Sequence, residues 1–217
     1  SSCEYFEQVL VGHPGAFAYA SPESQYDVLG IVQYMVDHYS VKPDQIYLVG
    51  YSMGGQSVAV TAAKFPHLFA AMLDNKGPTD ASLWYYEQVD YYASGENAYQ
   101  VVAMRKECHV GGVPKYPGEN PFCYQQRSGL YFARNYVVEP GARPPISITH
   151  STADLLVPVH HARDLRDAIN GFGPALPVLI FEDQVKGLTC PPYYHCYAPE
   201  RIASLNYYEP HRLNSSP

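Results

Sequence analysis

The sequence predicts an α/β fold, a parallel sheet with helices on both faces. Three observations carry this. Short apolar runs alternate with segments of helical period through the first 75 residues. The apolar run ending at Val49 leads directly into Gly50-Tyr51-Ser52-Met53-Gly54-Gly55, a G-x-S-x-G placed between a strand and a helix. Two further apolar runs, Pro145 to Thr149 and Pro177 to Phe181, flank another helical segment late in the chain.

In chain order, Phe6 to Gly12 (FEQVLVG) reads as a strand that stops at His13-Pro14-Gly15. Ser24 to Tyr39 reads as an amphipathic helix, with Val28, Ile31, Val32, Met35 and Val36 at helical spacing. Pro22 and Glu23 mark its start, and the loop Ser40 to Asp44 its stop. The strand Ile46 to Val49 follows, then a helix from about Gly54 to Lys64 ended near Pro66, then a short strand within Leu68 to Asp74. From about residue 77 to 135 the pattern becomes rich in Tyr, Gly and Pro, with helical pieces near Ser82 to Tyr92 and Asn97 to Lys106. This reads as a cap-like insertion between two sheet strands of a single domain spanning 1–217. Trp84, Tyr85 and Tyr86 are candidates either for a pocket lining or for the insertion's own core. The sheet resumes at Pro145, a helix is expected near His160 to Ile169, and Pro177 to Phe181 is the last strand. A loop from Glu182 to Tyr197 leads to a final helix at about Pro199 to Tyr208.

Composition narrows the function. The 217 residues are 47% hydrophobic and 16% charged, which suits a globular chain with a real core. A net charge of -7 without any Lys/Arg run argues against nucleic acid and anionic membranes as partners. No apolar stretch reaches transmembrane length. Five cysteines suggest two local disulfides, Cys108 with Cys123 and Cys190 with Cys196, leaving Cys3 over. Such bridges imply an oxidising compartment, so a secreted protein is expected. No C-x-x-C pair supports a zinc site, and no metal is expected.

The Gly-Tyr-Ser-Met-Gly turn is where chemistry is expected. A serine on a sharp strand-to-helix turn sits in strained backbone, so Gly50 and Gly54 are expected to give it room. The first N–H groups of the following helix point to the same place, and the Met53 N–H is the expected oxyanion donor. A serine hydroxyl needs an adjacent base, and the base needs a group that holds its tautomer. In hydrolase sheets these follow as Ser, then Asp or Glu, then His. Asp154 lies in the loop after the strand that starts at Pro145, the place for the acid. Of nine histidines, His195 falls between the last strand and the last helix, the place for the base. His160 and His161 follow Asp154 too closely and open a helix. His13, His38, His67, His109 and His150 precede it, and His211 lies beyond the last helix. A bonded Cys190–Cys196 pair would pin the loop that holds His195. Only 51 residues precede Ser52, and no HG or HGG occurs among them. The second oxyanion donor is therefore expected from a missing N-terminal segment or from a substitute group; failing both, the protein is expected to lack full activity.

These residues also carry a resemblance. The stretch Asp27 to Asp80, with DVLGIVQYMVDHYSVKPDQIYLVGYSMGG, KFPHLFAAML and GPTD, resembles prolyl-oligopeptidase-like α/β-hydrolases and their esterase relatives. So do the stretch from Asn120 to Val138 and HSTADLLVPVHHARDL, which holds Asp154. The resemblance implies an α/β-hydrolase sheet and hydrolysis of ester or peptide bonds by Ser52, Asp154 and His195, without a cofactor. The segment around His195 departs from the family's Gly-His pattern, and the family's N-terminal strands are not visible. The expected activity is that of a serine hydrolase acting on a small ester or peptide. The alternative is a catalytically idle hydrolase fold serving as a structural or binding module of an extracellular assembly. Its open sheet edge would then be covered by a partner chain or by a missing N-terminal segment.

Overall fold

The structure, a computed structural model, describes residues 19–92, 95–137, 146–173 and 178–183. The expected strand Phe6 to Gly12, the expected helix Pro199 to Tyr208, and Cys3, Cys190, His195, Cys196 and His211 lie outside them. The described elements are α1 (Pro22–His38), β1 (Tyr47–Tyr51), α2 (Met53–Lys64), β2 (Ala71–Asn75), α3 (Ala81–Tyr91), α4 (Tyr99–Glu107), α5 (Pro121–Gln125), β3 (Ile146–Ser151), α6 (His160–Gly171) and β4 (Leu179–Asp183). Short 3-10 turns at Pro43–Gln45, Pro66–Leu68, Gly95–Asn97 and Leu130–Tyr136 link them.

The four strands form one parallel sheet in the order β1-β2-β3-β4. β2 and β3 are buried along their whole length, as a covered parallel sheet requires. The pairing sets the strand ends. Register between β1 and β2 runs from Tyr47↔Ala71 to Tyr51↔Asn75, so β1 continues to the residue before Ser52 instead of stopping at Val49. β4 pairs from Ser147↔Leu179 to Ser151↔Asp183, two residues later than the apolar run alone suggests. Hydrogen-bond register, not hydrophobicity, decides where a strand stops.

α2 is the most buried helix among those described, with Val58, Ala59, Ala62 and Ala63 at 2% exposure or less. Its small residues let neighbouring backbone come close. A Cβ on Gly129 would lie 2.7 Å from the Ala59 Cβ, and the Tyr136 hydroxyl donates to the Ala59 carbonyl. Met72, Ile148, Leu165 and Ile169 complete this core from the sheet and α6. α1 contributes less than its periodicity predicts. Val28 and Val32 pack against the core, but Ile31 is 62% exposed and Met35 39%. Val49 on β1 is also exposed, and β1 pairs only with β2 among the described residues. Among the described residues, that flank of the sheet leaves Val49 exposed.

A second core lies within the segment between β2 and β3. Trp84, Tyr85, Val101, Met104, Cys108 and Tyr124 form it, with Val157 from the Asp154 loop and Met53 packed against it. Trp84 and Tyr85 are 4% and 1% exposed, so they are core residues rather than a pocket lining, while Tyr86 points outward at 48%. Polar groups tie this segment down. Arg127 Nη1 donates to Glu107 at 2.6 Å, with 2% of its side chain exposed. Lys64 Nζ donates to Gln25 Oε1 at 2.9 Å and to the Gln126 carbonyl at 3.0 Å, joining α1, α2 and the turn after α5.

The Cys108–Cys123 disulfide forms as expected and joins the end of α4 to α5. It closes a loop of 15 residues. Restricting the unfolded chain over such a loop is worth about 3 kcal/mol. The double variant Cys108→Ser/Cys123→Ser is expected to lose stability of roughly that size in a denaturant titration, with a somewhat larger m-value because its unfolded chain is less compact. A loss below about 1 kcal/mol would mean that the second core holds this loop without the bridge.

Candidate active site

Ser52 joins β1 to α2 with φ 55°, a left-handed backbone that a side chain ordinarily avoids. Its N–H donates to the Asn75 carbonyl at 2.8 Å, fixing the turn to the end of β2. Its carbonyl accepts from Gln56 N–H at 3.0 Å, which starts the helix. Ser52 occupies the helix cap position, yet its side chain makes no capping bond. A serine at a helix start ordinarily caps with its hydroxyl; here the backbone turns the side chain away from that task. The N–H of Met53 opens α2, in the first turn that no intrahelical carbonyl serves. These N–H groups carry the positive end of the helix dipole.

The glycines divide the work differently from the sequence expectation. A Cβ on Gly50 would lie 2.0 Å from the Gly54 carbonyl oxygen and 2.7 Å from Val58 Cγ2, so the strand-to-helix approach depends on Gly50. A Cβ on Gly54 would meet nothing within 4 Å. The crowded second glycine is Gly55, where a Cβ would come 2.3 Å from Asp74 Oδ1 and 2.9 Å from Gly77 Cα. The motif names Gly54 by spacing, but the contact falls one residue later.

Asp154 lies in the loop after β3, at the same edge of the parallel sheet as Ser52. β2 separates β1 from β3, a gap of about 10 Å between strand axes. The Asp154 side chain is fully buried, and its Oδ1 accepts from Leu156 N–H and Val157 N–H at 3.0 Å each. These two bonds aim the side chain. The loop is held from outside as well: Trp84 Nε1 and Gln88 Nε2 both donate to the Leu156 carbonyl, at 3.0 and 2.9 Å. The segment between β2 and β3 thus grips the Asp154 loop and packs on Met53.

Other histidines hold structural positions. His150 is fully buried, and its Nε2 donates to the Val157 carbonyl at 2.7 Å. His160 and His161 face Glu87 across α3 and α6, each with Nε2 at 2.8 Å from one carboxylate oxygen.

Two residues beside the site were not singled out from the sequence. Lys76 is 2% exposed and adopts φ 58° directly after β2. The Lys76-Gly77-Pro78 run signals a turn, but not a buried lysine. Asp74 is fully buried beneath the turn, with Oδ1 accepting from Gly77 N–H at 2.8 Å and Oδ2 without a hydrogen-bond partner among the described residues. Burial pushes its carboxyl up to about 7, against the Gly77 hydrogen bond that favours the charged form. At the end of a short apolar run Asp74 reads as the residue that closes the strand, and its burial follows only from the approach of Gly55 and Gly77.

Two outcomes are expected. Gly50→Ala should destabilise the fold by about 2 kcal/mol or more through the clash with Gly54, whereas Gly54→Ala, a helix position with open space, should be neutral or stabilising by up to about 1 kcal/mol. Thermal unfolding of the two variants checks this, and equal losses would contradict it. For Asp74, a carboxyl raised in the folded chain lowers stability as pH climbs from its unfolded value of 3.8 to about 7, and the loss is complete above that window. Asp74→Asn should therefore be more stable than the parent by on the order of 4 kcal/mol at about pH 8, with little difference at about pH 4. Parallel stability curves for the two proteins across that range would contradict it.

The profile of the prolyl oligopeptidase family (peptidase S9) matches residues 22–187. No curated protein matches the chain. Among solved structures, the acylaminoacyl peptidase of Pyrococcus horikoshii superposes with a TM-score of 0.60 at 18% identity, over 88% of this chain and 28% of that one. A putative dipeptidyl aminopeptidase IV from Bacteroides ovatus gives 0.62 at 17% identity, over 91% of this chain and 24% of that one. Prolyl oligopeptidase B from Galerina marginata gives 0.53 at 19% identity, over 73% and 20%. The chain thus spans less than a third of the length of these structures. At such identities the superpositions speak for the fold, and the family profile covers more than half of the chain. With its strand-Ser-helix turn and parallel sheet, the chain belongs to the prolyl oligopeptidase family of α/β-hydrolases.

Proposed function

We propose that the protein is a serine hydrolase that cleaves a small ester or peptide through an acyl-enzyme. The observation that carries this reading is Ser52 itself: a non-glycine residue at φ 55° on the turn before α2, its hydroxyl not used as a helix cap. Holding a serine in that backbone costs on the order of 1–3 kcal/mol, and an idle turn would relax it with glycine or asparagine. Ser52 Oγ attacks the acyl carbonyl. His195 takes the hydroxyl proton and returns it to the leaving group, and Asp154 orients the imidazole and balances its charge. The Met53 N–H donates to the oxyanion. Water, activated by the same histidine, then releases the acyl group.

The segment 77–135 acts as the cap of a single hydrolase domain. It fixes the position of Asp154 through the Leu156 carbonyl and shapes the leaving-group side of the site through its contact with Met53. The Cys108–Cys123 bridge supports a secreted protein, since such bonds persist in oxidising compartments.

A second reading rests on the β1 flank of the sheet. Val49 on β1 and Ile31 on α1 are exposed at 51% and 62%. A hydrolase fold kept as a binding module would present such an edge to a partner chain, or to a further segment of its own protein. Turnover separates the two readings. Ser52→Ala is expected to lose essentially all hydrolysis of an activated ester, and Asp154→Asn to fall by roughly 10³–10⁴-fold in kcat, as an acid lost from a triad does. Activity retained in Ser52→Ala would overturn Ser52 as the nucleophile, whereas absence of activity from the folded parent protein would favour the binding module.

A further inference from the structure

The geometry points to a zinc site formed by Glu87 of α3 and by His160 and His161 at the start of α6. Their ligand atoms all lie within 4.8 Å of one another. Each oxygen of the Glu87 carboxylate faces a different imidazole, Oε1 to His160 Nε2 and Oε2 to His161 Nε2, at 2.8 Å each. The two ring centroids stand 4.7 Å apart, and both Nε2 atoms lie against the one carboxylate. His161 Nε2 donates an ordinary hydrogen bond to Glu87 Oε2 at 2.8 Å, but the His160 contact is not one. His160 Nε2 is shielded from solvent, yet its approach to Glu87 lacks hydrogen-bond geometry. A buried imidazole nitrogen without a hydrogen bond, beside a carboxylate and a second imidazole, completes a donor set for a borderline divalent ion, and two imidazoles with one carboxylate suit zinc.

Tetrahedral zinc holds nitrogen and oxygen ligands at about 2.0–2.2 Å, which places neighbouring ligand atoms roughly 3.3 Å apart. Each histidine nitrogen thus moves about half an ångström away from its Glu87 oxygen to admit the ion. His161 must then carry its proton on Nδ1, and the long 3.5 Å contact from the Asp80 N–H to that atom is given up. The Thr79 hydroxyl holds the His161 carbonyl at 2.6 Å, so the backbone of this ligand stays fixed during loading. His160, with 39% of its side chain exposed, is the side from which the ion and a solvent ligand reach the site. The sequence expectation of no metal rests on the absence of a C-x-x-C pair, and it does not reach an adjacent histidine pair with a glutamate 73 positions upstream of the first of them.

The site would act as a clamp. Gln88 is the neighbour of Glu87 in sequence, and it and Trp84, one helical turn back, grip the Leu156 carbonyl beside Asp154. Zinc would lock α3 to the first turn of α6 and so fix the loop between them. Its binding stands apart from the hydrolase reading; its effect on turnover rests on that reading.

Titration of the intact, chelator-treated protein with zinc chloride in a calorimeter, with thermal unfolding in parallel, tests the proposal. One ion per chain is expected at micromolar zinc, with a higher melting temperature. His160→Gln and Glu87→Gln should each weaken binding roughly 100-fold and abolish the thermal shift. His160 is partly exposed, so His160→Gln keeps the test open if the Glu87 variant fails to fold. Absence of binding at submillimolar zinc would overturn the site and leave the cluster an ion pair. Binding that both variants retain would overturn it too, placing the ion on other histidines. Neither result depends on esterase activity, so failure of the clamp and failure of the hydrolase reading are told apart.

Discussion

The close approach of α2 to the end of β1 is the constraint on which the rest depends. Gly50 has no room for a Cβ because the Gly54 carbonyl stands where it would go. That approach forces the single linking residue, Ser52, into left-handed backbone and turns its hydroxyl away from the helix it caps. The same proximity seats Gly55 on Asp74 and Gly77, so the turn is supported from below by backbone and a buried carboxyl. Small residues continue along the helix, and Gly129 and Tyr136 close on Ala59. The strain at one residue is held by tight packing over three turns of helix.

The segment between β2 and β3 is the second support. Its core of Trp84, Tyr85, Val101 and Tyr124 is not an accessory to the sheet, because Val157 and Met53 are part of the same packing. Two donors on one face of α3 meet at the Leu156 carbonyl, while Asp154 is aimed by N–H groups from Leu156 and Val157. A disturbance in α3 therefore reaches the acid loop through one shared carbonyl. This coupling is what gives the Glu87, His160 and His161 cluster a route to the site.

Much of this was legible in the sequence, for definite reasons. The alternation of strands and helices is written in apolar periodicity, and the serine turn in glycine spacing. The Cys108–Cys123 bridge is local and flanks one loop. What was illegible depends on pairing or on distance along the chain. β1 and β4 run further than their apolar runs because register with β2 and β3 carries them on. Ile31 and Met35 have core spacing but are exposed among the described residues. Gly54 and Gly55 are indistinguishable in sequence, and only the position of Asp74 shows which is crowded. Glu87 joins His160 and His161 only after a whole segment has folded between them.

The central claim is that the fold activates one serine. Incubation of the purified protein with a fluorophosphonate probe, followed by peptide mass mapping, tests it most directly. The account predicts a covalent adduct on Ser52 and on no other serine, lost when the protein is unfolded first. Folded protein that takes no label, or takes it elsewhere, would contradict the account and leave the strained turn as architecture alone.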